Sequence, residues 1–195
     1  MKDKITNIII SGIGGQGVLT LAYAIAESAM RQGYDVTTAE VHGLSMRFGH
    51  LEVHVRIGKK VLSPLVPDGE ADLVVGMEPI ETMRAARYMS KNTSIIFDTA
   101  RSIPNKMHIH KEQYPETKEI ISVLKKISKS VKALPASEIV KKRTGSNIQA
   151  NIYTLGYLVK SKLIPINQKN ILDTLDLLPS SEINKTIFKL GVQQA

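Results

Sequence analysis

The stretch that most constrains this chain is Asn7 to Gly17, NIIISGIGGQG, followed at once by the apolar segment Val18 to Met30. An apolar run that ends in glycines and then enters a helix-like segment has the strand, loop, helix order. In that order backbone N–H groups at a helix N-terminus can hold an anion. Gly12, Gly14 and Gly17 fit the spacing G-x-G-x-x-G, in which one glycine permits a tight turn and another admits a phosphate to the backbone. The same glycines can serve only close helix-to-strand packing, so spacing alone leaves both dinucleotide binding and plain packing open.

The helix is expected from about Gly15 to Gln32, with Leu19, Ala22, Ala26 and Ala29 as a small-residue face for a sheet. Gly33 reads as its C-cap and Tyr34 to Ala39 as a second strand, which predicts a β-α-β unit with a parallel pair. Glu40 stands where a dehydrogenase carries its ribose acid, but it comes 28 positions after Gly12, about a helical turn too late for the usual fingerprint. The loop VHGLSMRFGH, Val41 to His50, then lies beyond the carboxyl end of a strand, where open α/β sheets place ligands. Arg47 in this loop suits a bidentate grip on carboxylate or phosphate, whereas a loop histidine reads first as a surface residue.

Leu51, Val53, Val55 and Ile57 alternate with Glu52, His54 and Arg56, predicting a half-exposed strand with His54 structural or solvated. Gly58-Lys59-Lys60 would turn it back into Val61 to Ser63 as a hairpin, making the sheet mixed. Ala71 to Gly76 and Ser94 to Asp98 read as buried strands, with a helix between them that starts at Glu78-Pro79 and runs to Met89. If these strands run parallel, Glu78, Asp98 and Thr99 reach the edge of the glycine loop and join Gln16 and Arg47 as candidates for one crevice. For Glu78 itself a helix-end role is the favoured reading.

Glu116 to Ile127 reads as an amphipathic helix and Ser130 to Leu134 as the last strand. Helices follow near 135–143, Asn147 to Leu163, Gln168 to Leu177 and Ser181 to Leu190, the last stopping before Gly191. The expectation is one domain in 195 residues: an α/β fold, a three-layer α/β/α sandwich built on a Rossmann-like mixed sheet over about 5–135, with a helical C-terminal segment over about 136–191.

Composition narrows the chemistry. The chain has no cysteine, hence no thiol nucleophile and no thiolate for zinc or an iron–sulfur cluster. No Walker loop, G-x-S-x-G elbow or H-E-x-x-H pair occurs, and His108 and His110 flank Ile109 without an evident third ligand. Neither a catalytic nor a metal-binding residue is therefore expected. Residues 1–100 carry 10 Lys+Arg against 11 Asp+Glu, while residues 101–195 carry 16 against 7. That basic half reads as solvated helix faces, or as a surface for an acidic partner or phosphorylated ligand. Without a nucleic-acid motif or many aromatics, nucleic acid is not the expected partner. No apolar run approaches the ~18–20 residues of a membrane span, and Met1 to Lys4 leads straight into a strand, so a cytoplasmic chain is expected.

Five segments carry a family resemblance: GIGGQGVLT at Gly12 to Thr20, AEVHGLSMRFGH at Ala39 to His50, VRIG at Val55 to Gly58, SPLVPDGEADLVVGMEP at Ser63 to Pro79, and EINKTIFKLG at Glu182 to Gly191. In order and over nearly the whole chain they resemble the gamma-type subunit of 2-oxoacid:ferredoxin oxidoreductases, with His42 in E-V-H-G favouring the indolepyruvate branch. The resemblance implies an α/β/α sandwich and a share in oxidative decarboxylation of a 2-oxoacid to its acyl-coenzyme A, with electrons passed to ferredoxin. It also implies that thiamine diphosphate and [4Fe-4S] clusters belong to a larger partner subunit and that coenzyme A is the co-substrate. Gly12, Gly14, Gly15, Gln16, Gly17, His42, Arg47 and Gly49 are then the residues expected to face the partner's thiamine site or coenzyme A. The family tends to show two glycines after the loop arginine, where this chain has Phe48 before Gly49. Two other readings stay open on sequence. One is a stand-alone Rossmann-type NAD(P) dehydrogenase using Gly12 to Gly17. The other is a basic nucleotide- or nucleic-acid-binding module using Lys125, Lys126, Lys141, Lys142 and Arg143.

Overall fold

The computed structural model describes residues 4–42, 49–102 and 113–194. Its centre is β1 (Thr6–Ile13), whose Ile8, Ile9 and Ile10 are fully buried, because both faces of the sheet are covered. The glycine loop leads from it into α1 (Val18–Arg31), which starts three residues later than Gly15 because Gly17 takes the left-handed conformation and forms the N-cap. Val18, Leu21, Ala22, Ile25, Ala26 and Ala29 make the buried face of α1, while Leu19 is exposed, in contrast to its expected place on the sheet. Gly33, at φ +84°, ends the helix as expected and leads into β2 (Asp35–His42).

The six strands follow the order β2-β3-β1-β4-β5-β6. The expected parallel β1–β2 pair does not form, because β3 (His50–Gly58) lies between them and runs antiparallel to both. The hairpin is thus β2–β3, joined through residues 43–49, and residues 61–63 are not a strand. The sheet is mixed, as expected, though the antiparallel member is β3. Its other strands, β4 (Leu73–Gly76), β5 (Ser94–Asp98) and β6 (Val131–Leu134), run parallel to β1. β3 is not half exposed: Leu51, Val53, Val55 and Ile57 face one layer, and Glu52 and His54, both buried, face the other.

On the first face α1 packs with α4 (Ala136–Thr144), α5 (Ala150–Lys160), α6 (Gln168–Leu175) and α7 (Ser181–Gln193). These C-terminal helices belong to the main core: Val140, Leu155, Ile171, Ile187 and Phe188 are fully buried in the same cluster as Ile8 and Val75. At ~1.5–3 kcal/mol per fully buried large aliphatic or aromatic side chain, the helical segment is a principal source of stability. On the second face lie α2 (Pro79–Arg84), the 3-10 turn Ala85–Tyr88 that interrupts the longer helix expected there, and α3 (Thr117–Ile127). They bury Tyr88, Ile120 and Leu124 against Ile9, Val74, Ile95 and Phe97.

α7 continues through Gly191 to Gln193, so Gly191 is not its stop. Its role is close packing, since a Cβ there would stand 2.1 Å from the Tyr153 carbonyl oxygen, and one on Gly156 would stand 2.2 Å from that of Phe188. The two glycines let α5 and α7 cross backbone to backbone.

Candidate functional site

The end of β1, the start of β3 and the N-termini of α1 and α5 meet at one cavity of about 640 Å³. Gly14, Gly15 and Gly17 form one wall, His42, Gly49, His50 and Leu51 the second, and Ile148, Asn151, Ser180 and Asn184 the third. Short bonds fix the walls to one another. The Gly14 N–H donates to the Gly49 carbonyl at 3.2 Å, and the Asn151 side-chain amide donates to the Gly17 carbonyl at 3.1 Å. No side chain caps α1, so its first-turn N–H groups, which have no partner inside a helix, are turned to the loop side.

Of the eight residues expected at the site, Gly14, Gly15, Gly17, His42 and Gly49 line this cavity. Gly12 sits beneath it, where an added Cβ would stand 2.7 Å from the Val18 side chain, so it is a packing glycine. Gln16 folds back: its side-chain oxygen accepts the Ile13 N–H at 2.8 Å and closes the turn. Arg47 lies outside the described residues. His108 and His110 lie outside them too.

Among the described residues Gln16, Glu78, Asp98 and Thr99 are not in the lining of this cavity. Glu78 is buried and caps α2, accepting the Glu81 N–H at 2.9 Å, and it also accepts the Tyr114 hydroxyl. This is the helix-end role expected of it. Asp98 accepts the Ser137 N–H and hydroxyl and ties β5 to α4. Burial pushes its carboxyl above the ordinary value, while these bonds oppose the shift.

Beneath the cavity β3 carries a polar network that the alternating sequence disguised as a solvent face. His50 lies in the cavity wall and is bonded to the Glu81 carboxylate through Nδ1. Two residues on, the Glu52 carboxylate accepts the Tyr88 hydroxyl at 2.7 Å and lies 3.2 Å from His54 Nε2. His54 Nδ1 accepts the Val66 N–H at 3.0 Å, which leaves Nε2 as the donor toward Glu52. Burial alone would raise the Glu52 carboxyl. The bonds from His54 and Tyr88, with the attraction of Arg87, outweigh it and hold the group below its ordinary value.

Sequence reasoning missed His50, Asn151, Ser180 and Asn184 as wall residues. Asn151 lies 134 positions from the Gly17 that it bonds, and no local pattern carries that information.

The dinucleotide reading fails on strand order. With β3 between β1 and β2, Glu40 lies two strand spacings, ~10 Å, from the strand that carries the glycines. The Glu40 carboxylate instead meets its neighbour His42 at 3.1 Å. Among the described residues no three His, Asp or Glu side chains are grouped to hold a metal ion, and the chain has no cysteine. Without a cysteine the chain offers no thiolate to an iron–sulfur cluster. Among the described residues no helix is long and apolar enough to cross a membrane.

Residues 7–194 match the pyruvate ferredoxin/flavodoxin oxidoreductase family. The chain is 40% identical, over 97% of its length and 94% of the relative's, to indolepyruvate oxidoreductase subunit IorB of Archaeoglobus fulgidus. Its fold is that of the gamma subunit of a keto/oxoacid ferredoxin oxidoreductase from Geobacter sulfurreducens, at TM-score 0.68 and 19% identity, covering 97% of this chain and 98% of that one. It also fits, at TM-score 0.73 and 19% identity, 98% of this chain onto 31% of a longer chain, a 2-oxoglutarate:ferredoxin oxidoreductase from Magnetococcus marinus with 2-oxoglutarate, coenzyme A and succinyl-CoA bound. With its mixed sheet, its glycine-walled cavity and this match over nearly its whole length, the chain belongs to the pyruvate ferredoxin/flavodoxin oxidoreductase family.

Proposed function

We propose that this chain is the small, single-domain subunit of a cytoplasmic indolepyruvate:ferredoxin oxidoreductase. The enzyme would convert indolepyruvate and related aryl 2-oxoacids to their acyl-coenzyme A esters and pass the electrons to ferredoxin. Thiamine diphosphate and the [4Fe-4S] clusters belong to a larger partner subunit, and this chain is inactive alone. The observation that carries the reading is the near-full-length identity to IorB, joined to a cavity walled by glycines.

In this reading the cavity is the chain's share of the coenzyme A site. The N-terminal amides of α1 supply fixed N–H donors for an anionic group of the coenzyme, and the absence of Cβ atoms at Gly14 and Gly15 lets that group approach the backbone. Ile148, Leu51 and Leu178 supply apolar wall for its uncharged parts. His42 and Gly49, at the two ends of the segment between β2 and β3, face the partner across the opening.

Amide hydrogen exchange on the two-subunit complex tests this. Adding coenzyme A should slow exchange at residues 14–20 and 49–51. Unchanged exchange there, in a complex that still makes acyl-coenzyme A, would remove the coenzyme from this cavity.

A further inference from the structure

The two edges of the sheet are built in opposite ways. The β6 edge is short, four residues, and guarded: Lys132 is exposed upon it and Lys129 stands just before it. Short edges that carry lysine are how soluble proteins keep strands from adding to a sheet. The β2 edge is longer and carries no lysine; its Asp35 carboxylate accepts the Val61 N–H and its Thr37 hydroxyl donates to the Ser63 carbonyl, which ties residues 61–63 to side chains near its start. It runs for eight residues, DVTTAEVH, without lysine, arginine, proline or glycine, it is rich in β-branched residues, and among the described strands its only ladder partner is β3. A long edge strand without a second ladder partner presents a row of open backbone donors and acceptors.

A second observation lies beside it. The register sets Thr37, Ala39 and Val41 on the face shared with Arg56, His54 and Glu52. There a recess of about 400 Å³ adjoins the edge, with Val41, Leu65, Val66 and Pro67 as apolar wall beside the buried His54 and Tyr88, and with Asp68 and Arg87 as its charged members. Leu65 in its wall is exposed, at 52%. A ladder with open bonds and an apolar recess behind its alternate side chains are the two parts of strand-addition recognition: the backbone gives affinity and the recess gives specificity.

We propose that β2 is the site where an extended segment of the larger partner subunit adds as a seventh strand, placing an apolar side chain in the Val41–Leu65 recess. The inference rests on the two-subunit reading above. The reason to commit to that subunit, and not to a second copy of this chain, is where β2 ends. Its last residue, His42, is in the wall of the glycine cavity, so a strand paired along β2 carries its own chain directly to that opening. A segment from the larger subunit can place a basic or polar residue opposite Glu40 and β-branched residues along the rest.

The test measures assembly, not turnover, on the co-expressed complex and on the isolated chain. Val41→Lys on the edge and Leu65→Glu on the recess should each weaken association of the two subunits by about tenfold or more. Lys132→Glu at the opposite edge should leave association unchanged. Amide exchange at residues 36–41 should be slower in the complex than in the isolated chain. Leu65 lies in a loop, so its variant keeps the test alive if Val41→Lys fails to fold. Unchanged association in Leu65→Glu, or protection at the β6 edge and not at β2, would overturn the proposal. So would an isolated chain that already dimerises with 36–41 protected. Dye-linked oxidation of indolepyruvate by the complex reports separately on the reaction, so loss of one reading does not masquerade as loss of the other.

Discussion

Gly17 is the residue on which the site's geometry turns. It holds φ +75° as the N-cap of α1, and a Cβ there would stand 2.4 Å from the Asn151 side-chain nitrogen that bonds its carbonyl. Gly17→Ala therefore meets left-handed strain and displaces that bond, each worth ~1 kcal/mol, so the urea midpoint should correspond to a loss of ~2 kcal/mol. A wild-type midpoint would contradict the packing described. Glu52 gives a pH signature. Its folded carboxyl titrates below its ordinary value, so its contribution to stability is fully present above the unfolded pKa of ~4.3 and is lost as pH falls through the lower folded value. Glu52→Gln should flatten the acid limb of stability against pH in that window, and an unchanged limb would mean the carboxylate is not held by His54 and Tyr88. Glycine spacing in the sequence pointed to Gly17, but nothing local marked Glu52. A buried carboxylate satisfied by a tyrosine 36 positions away reads, in a strand of alternating polarity, as a surface residue.

At the level of elements, the apolar runs of β1, β4 and β5 were legible because strands buried on both faces read as continuous hydrophobic sequence. The order of the strands was not. β3 follows a loop that looks like a ligand loop, and the lysines after Gly58 look like a turn when they only mark where the strand leaves the core. Gly191 misled for a related reason. A glycine near a helix end reads as a C-cap, yet here it admits the Tyr153 carbonyl at a helix crossing that no local window contains. That crossing is testable: Gly191→Ala must push α7 off α5, and overpacking of this kind costs ~1–3 kcal/mol. Thermal unfolding should fall accordingly, with α7 amides the first to lose exchange protection. Full retention of stability would show that the crossing can relax.

For the molecule as a whole, the α/β/α layering and the family were legible across nearly the entire chain, because its motifs fall in order from Gly12 to Gly191. Only part of the cavity was. The glycine and β2–β3 walls are contiguous in sequence, whereas Asn151, Ser180 and Asn184 arrive through helices that read simply as a tail. Burying that tail in the main core is what turns a strand-loop-helix motif into a three-walled cavity. In the function proposed above, a chain so arranged completes a site with another subunit and is inactive alone. The most direct measurement is coenzyme A-dependent oxidation of indolepyruvate with ferredoxin as acceptor, assayed on this chain, on the larger subunit and on the two combined. Activity only in the combination is the predicted result, and turnover by this chain by itself would contradict the account.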